Sequence, residues 1–300
     1  MIFLTIIVVL LFSFSFSILF LYFSQDTIEI NKKFFYEQML KEEKPKIFLI
    51  GSSHVMPIHP EKIEEFISVN GEYVIFNIAE AADSPKNRIR QLDHIILSKP
   101  NLIVYGLGYH DFAQKPIIYS FLPNPKNMIE DIFSFNLPYF LDDPKFQTLS
   151  VIRNFLLIEE SGNFEEKTPF FEIKEYLFYI RSNEQLDQIK EKDLFIPIKE
   201  KNDNYDDFKT MISSFNENGI KIIIILTPLR DVWVDEISEQ NKHNFDLIID
   251  EIKQFSNVSI YSLMSNYTDQ NFWRDNEHIT NDKSGLNYTN DVAKIILKEI

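Results

Sequence analysis

Ser53 ends the tripeptide Gly51-Ser52-Ser53, directly behind the apolar run Lys46-Ile-Phe-Leu-Ile50, and the pair Asp275-x-x-His278 stands far downstream of it. A serine hydroxyl is a weak nucleophile at its ordinary pKa. It needs a base to take its proton and an acceptor to hold that base in the right tautomer. At three positions apart on one turn, the Asp275 carboxylate can accept from one imidazole nitrogen of His278 while the other faces a serine. A tetrahedral intermediate would also need N–H donors, which turns after strands supply. Each half has a plainer reading: Gly-Ser-Ser after a strand is a turn, and Asp275 or Thr280 can cap the helix that follows. Together they point to acyl chemistry at a serine of this turn, with His278 as base and Asp275 as its orienter.

Elements at the right places must bring these residues together. Apolar runs of strand length occur at Lys46–Gly51, Tyr73–Ile78, Leu102–Gly106, Ile220–Thr227 and Val258–Tyr261. Helical patterns start at Pro60 and at Ser84-Pro85, cover Trp233–Phe255, and close the chain over Asn281–Glu299. Nearly all-apolar strands alternating with helices predict a five-stranded parallel sheet covered on both faces, a flavodoxin-like three-layer α/β sandwich. In such a sheet the reactive groups gather at the carboxyl ends of the strands. Four polar clusters meet that condition: Gly51-Ser52-Ser53-His54, Ala79-Glu80-Ala81-Ala82-Asp83, Gly106-Leu107-Gly108-Tyr109-His110-Asp111, and Asn271 to His278. The stretch 112–205, rich in Phe, Tyr, Pro and Glu, lacks a strand signal and is too long for a bare loop. It reads as a helical insertion, a lid or an attachment surface.

Composition narrows the function. The 300 residues carry a net charge of −15, which repels a phosphate backbone, so nucleic acid is not expected as a partner. There is no cysteine, which excludes disulfides, thiolate zinc sites and a cysteine nucleophile. No His-Glu-x-x-His spacing occurs, and neither a metal nor a cofactor is expected. Met1–Phe23 has no charged residue and is long enough to cross a hydrocarbon core as a helix. The expected layout is a transmembrane anchor over 1–24, a polar stalk over 25–45, and one domain over 46–300, outside the cytoplasm.

The four clusters, in this order and this strand context, resemble the SGNH (GDSL-type) hydrolase superfamily. Gly51-Ser52-Ser53 takes the place of its Gly-Asp-Ser block and Asp275-Asn-Glu-His278 that of its Asp-x-x-His block. Ala82 stands where the second block has its oxyanion glycine, and His110 where the third has asparagine. The resemblance implies catalysis by Ser53, His278 and Asp275, with the backbone N–H groups of Ser53 and Ala82 and the side chain of His110 forming the oxyanion hole.

The function expected on this basis is a membrane-anchored serine esterase or O-acyltransferase working through an acyl-serine on acyl groups of a cell-surface glycan, polymer or lipid. The alternative is a catalytically inactive scaffold of the same fold that binds a membrane partner in surface-polymer assembly; His110 in the third block favours it. His54 reads as the start of a helix beside the site, and His110-Asp111 has a second reading as a loop-stabilising pair.

Overall fold

Lys46–Ile50 forms β1, buried along its whole length, in a computed structural model that describes residues 32, 34–113, 167–171, 196–197, 202–267, 273–274, 277–280 and 283–300. These residues cluster in two units, and the sheet and the site both lie in the unit made of Tyr36–Lys115 and Phe164–Ile300. The other strands are β2 (Val74–Asn77), β3 (Leu102–Leu107), β4 (Lys221–Leu226) and β5 (Val258–Ser262). All pair in parallel, in the order β2-β1-β3-β4-β5. The expected five-stranded parallel sheet is therefore present, with no boundary shifted by more than one residue. β5, the edge, is the one strand that is only half-buried.

Side chains alternate across the sheet, so each strand feeds two cores. Ile47, Leu49, Ile75, Val104, Ile223 and Ile225 join one apolar cluster with Ile63 and Ile67 of α1 (Pro60–Ile67) and Val292 and Ile296 of α7 (Lys283–Glu299). On the opposite face Tyr105 packs edge-on against Phe208, with ring centroids 5.1 Å apart, and Phe112 packs against the same ring at 5.6 Å. Phe208 belongs to α4 (Asp203–Glu217), whose buried positions Tyr205, Phe208, Met211, Ile212 and Phe215 follow helical spacing. The first three residues of this helix fall within the stretch expected as the insertion, 112–205.

Two helices differ from expectation. The expected helix over Trp233–Phe255 is two: α5 (Asp231–Glu236) and α6 (Glu239–Ile252). Ile237 is extended, and the Ser238 hydroxyl caps α6 by accepting from the Asn241 N–H. Between β2 and β3 the helix from Pro85 is also broken, into α2 (Pro85–Arg88), a 3₁₀ turn and α3 (Leu92–Leu97). The apolar segment 1–24 and most of the insertion lie outside the described residues. Among the described residues no helix is long and apolar enough to cross a membrane.

The order places a topological switch point between β1 and β3, because the chain leaves β1 toward β2 and then returns past it to β3. A crevice opens there at the carboxyl ends, the place where ligands bind in open α/β sheets. At the far end of the sheet, Glu299 in the last turn of α7 ties down two strands: Lys221 of β4 pairs with it at 2.7 Å and the Tyr261 hydroxyl of β5 donates to it. The Lys221 ammonium and the Tyr261 hydroxyl both hold the Glu299 carboxyl below its ordinary value of 4.5. A lowered carboxyl stabilises the fold above the unfolded-state pKa and loses that contribution as pH falls through the folded one. Denaturant midpoints of the wild type should therefore drop below about pH 4.5 more steeply than those of Glu299→Gln.

Candidate active site

The turn after β1 exists because two glycines leave room for one valine. Gly51 has φ 146°, and a Cβ on it would meet Val55 Cγ2 at 2.7 Å and the Gly106 carbonyl oxygen at 2.8 Å. A Cβ on Gly106, in β3, would sit 2.2 Å from the same methyl. Val55 thus wedges between the ends of β1 and β3 and turns the chain sharply at Ser52-Ser53. The fully buried Asn77 holds the wedge from the β2 side, donating to the carbonyls of Val55 and Ile58 at 2.9 Å each while its oxygen accepts from the Ala79 N–H.

Ser53 is half-buried at the top of this turn. Its Oγ lies 2.7 Å from Nε2 of His278, 225 residues away along the chain. The loop bearing His278 is held at its base by an antiparallel bridge between Trp273 and Ile279, both buried, and by an Arg274 N–H that donates to the His278 carbonyl at 2.8 Å. A hydroxyl and an imidazole at this distance are placed for proton transfer. Asp275, the expected orienter, lies outside the described residues.

Behind this pair stands an arrangement that the sequence did not announce. His54 does not open a helix; it follows Ser53 in the turn and its ring is sandwiched, 4.6 Å from His278 on one side and 4.2 Å from His110 on the other, at interplanar angles of 24° and 19°. The buried Ser52 hydroxyl bridges His54 and His110, 2.9 Å from His54 Nδ1 and 3.1 Å from His110 Nε2. Two imidazolium rings 4.6 Å apart would repel by on the order of 4 kcal/mol at an effective dielectric constant near 20. A proton taken up by His278 is therefore easiest to hold while His54 stays neutral. Three rings from three separate loops leave no spacing signature, which is why sequence alone could not assemble them.

The structure puts His110 beside the nucleophile turn with Nε2 directed at Ser52. The backbone N–H groups of Ser53 and Ala82 have no acceptor among the described residues. Ala82 has φ 56°, the left-handed region that glycine occupies without strain and alanine does not. This is the physical reason a glycine suits that position.

The turn bearing Ala82 is anchored by Arg88, whose side chain is fully buried. Its guanidinium binds Asp83 at 2.6 Å, Glu80 at 3.3 Å and the Ile78 carbonyl at 3.1 Å. Gln91 donates to Glu80 and accepts from the Tyr36 hydroxyl at 2.9 Å. Burial opposes the charge on Arg88, but Asp83 and Glu80 outweigh it and raise its pKa. Its only sequence signal was an arginine following two acidic residues within eight positions.

One group of atoms has the composition of a metal site: His54, Glu277 and His278 each offer a ligand atom within 4.8 Å of the others. Ring nitrogens bind metals in the plane of the ring. Two rings stacked within 24° direct those lone pairs side by side instead of at a shared point, and Nε2 of His278 faces Ser53. The donor geometry thus fits a stacked relay better than a cation.

A family model described as DltD protein matches residues 147–282, a stretch that ends just beyond His278 and does not include Gly51–Ser53. No curated protein matches the chain. Among solved structures, a GDSL-like lipase from Bacteroides thetaiotaomicron is 12% identical, covering 90% of this chain and 98% of its own with a TM-score of 0.40. A lipolytic protein of the G-D-S-L family from Desulfitobacterium hafniense is 11% identical, covering 84% and 99% with a TM-score of 0.42.

Two variants test the turn. Ala82→Gly should relieve about 1 kcal/mol of left-handed strain and raise the melting midpoint by about 2–4 °C. Arg88→Met leaves Asp83 buried without its cation and should cost about 3–5 kcal/mol in denaturant unfolding.

Proposed function

We propose that the chain is a membrane-anchored serine esterase or O-acyltransferase acting on acyl groups of a cell-surface glycan, polymer or lipid. The observation that carries this is the 2.7 Å contact between Ser53 Oγ and His278 Nε2 at the switch point of the sheet. The DltD match supports an acyl-modifying role at the cell surface.

In the proposed reaction His278 Nε2 takes the Ser53 proton as Oγ attacks the acyl carbonyl. The Ser53 and Ala82 N–H groups receive the negative charge that develops on the carbonyl oxygen. His278 then returns the proton to the departing alcohol, leaving acyl-Ser53, and activates water or an acceptor hydroxyl for the second half. Asp275 orients His278. The His110 ring borders the same turn. Water gives an esterase and a sugar hydroxyl gives a transferase from one intermediate. The chain's net charge of −15 favours a neutral or cationic acyl substrate over an anionic one. The apolar segment Met1–Phe23 would hold the domain at the membrane where such substrates lie.

A fluorophosphonate probe separates this reading from the inactive scaffold. Wild-type protein should be labelled at neutral pH, and Ser53→Ala and His278→Gln should not, with all three melting alike. Absence of labelling in the folded wild type sinks the enzyme. For the labelled protein, release of acetate from a neutral acetyl ester, set against acyl transfer to an added sugar, distinguishes the two activities.

A further inference from the structure

His54 is not needed as base or nucleophile, yet its ring is the inner leaf of a three-histidine stack and its edges are engaged. Hydrogen counting gives this arrangement a direction. The Ser52 hydroxyl has one proton and two imidazole neighbours, His54 Nδ1 at 2.9 Å and His110 Nε2 at 3.1 Å, so it can donate to only one of them. On the His110 side, an Asp111 carboxylate oxygen lies 3.5 Å from Nε2 and favours a proton there. That oxygen is itself fixed by the Gly108 N–H, which donates to it at 2.7 Å. On the His54 side, a Glu277 carboxylate oxygen lies 3.9 Å from Nε2, too far for a hydrogen bond but close enough to favour that nitrogen as the protonated one. Nδ1 of His54 is then the bare nitrogen. The neutral chain has one consistent order: His110 Nε2–H donates to Ser52, and Ser52 donates to His54 Nδ1.

We infer that His54 is a positioning residue for His278: the chain from His110 through Ser52 locks its ring, and the locked face sets the plane of the His278 imidazole 4.6 Å away. This rests on the reading of Ser53 and His278 as nucleophile and base. It gives the second serine of Gly51-Ser52-Ser53 a task of its own, as a hydrogen-bond hinge between two rings. It also commits the Nε2–H of neutral His110 to Ser52, so that His110 acts on the reaction through the stack. A base turned out of plane misdirects its lone pair, and misplacement of a catalytic group by about 1 Å can cost on the order of 100-fold in rate.

Two measurements on the full-length protein test this. In histidine-selective ¹⁵N spectra, with resonances assigned by single substitution, wild-type His54 should show the Nε2–H tautomer with bare Nδ1. In Ser52→Ala that tautomer should lose its preference. The second is the rate constant of fluorophosphonate labelling at Ser53. His54→Phe keeps a flat face in the stack and should label within about 5-fold of wild type, whereas His54→Ala should slow by on the order of 100-fold. Unchanged melting of both variants excludes a folding effect. A doubly protonated or Nδ1–H His54 overturns the chain's direction, and equal labelling of the Phe and Ala variants overturns the positioning role alone. A wild type that resists the probe overturns the nucleophile reading and the positioning role together.

Discussion

The site depends on how closely β1 and β3 approach at their carboxyl ends. Two backbone positions there, Gly51 and Gly106, have no room for a Cβ because the Val55 side chain fills the space between them. This is a steric constraint of less than 3 Å, and it does three things at once. It stops β1, it lifts Ser53 into the crevice, and it brings the loop after β3 close enough for His110 to reach Ser52. Interiors are too densely packed to absorb an extra methyl at such a point without moving the backbone. The turn geometry is therefore fixed by packing beneath it, and the polar contacts above it refine what packing has set.

Polar groups buried under the second turn follow another logic. Arg88, Asp83 and Glu80 are held out of bulk water, where each charge alone would be expensive and the set is tolerable only because it is paired. Such a network contributes little net stability compared with an apolar core. What it supplies is direction: the guanidinium binds a backbone carbonyl and two carboxylates of the same six-residue segment, Ile78–Asp83, leaving that turn few alternatives. The strained Ala82 can persist in a left-handed conformation because its neighbours on either side are held in this way.

Much of the architecture was readable from residue patterns. Five nearly all-apolar runs separated by helix starts could hardly form anything except a covered parallel sheet. The meeting of Ser53 and His278 followed from placing reactive groups at strand ends. The missed features share a cause. The break at Ile237-Ser238 and the helix Asp203–Glu217 were local signals, a capping serine and a helical spacing of Tyr205, Phe208, Met211 and Phe215, masked by longer patterns around them. The imidazole stack and the Arg88 network were different. Their members come from separate segments, and no single-segment periodicity encodes a contact between loops.

The 225-residue interval between Ser53 and its imidazole also bears on synthesis. At about 5–20 residues per second, a growing chain has its serine for about 10–45 s before the histidine is made. β1 gains both of its neighbours early in that interval, since β2 ends at Asn77 and β3 at Leu107, whereas the loop bearing His278 comes last. The hydroxyl is chemically ordinary for as long as the domain is incomplete.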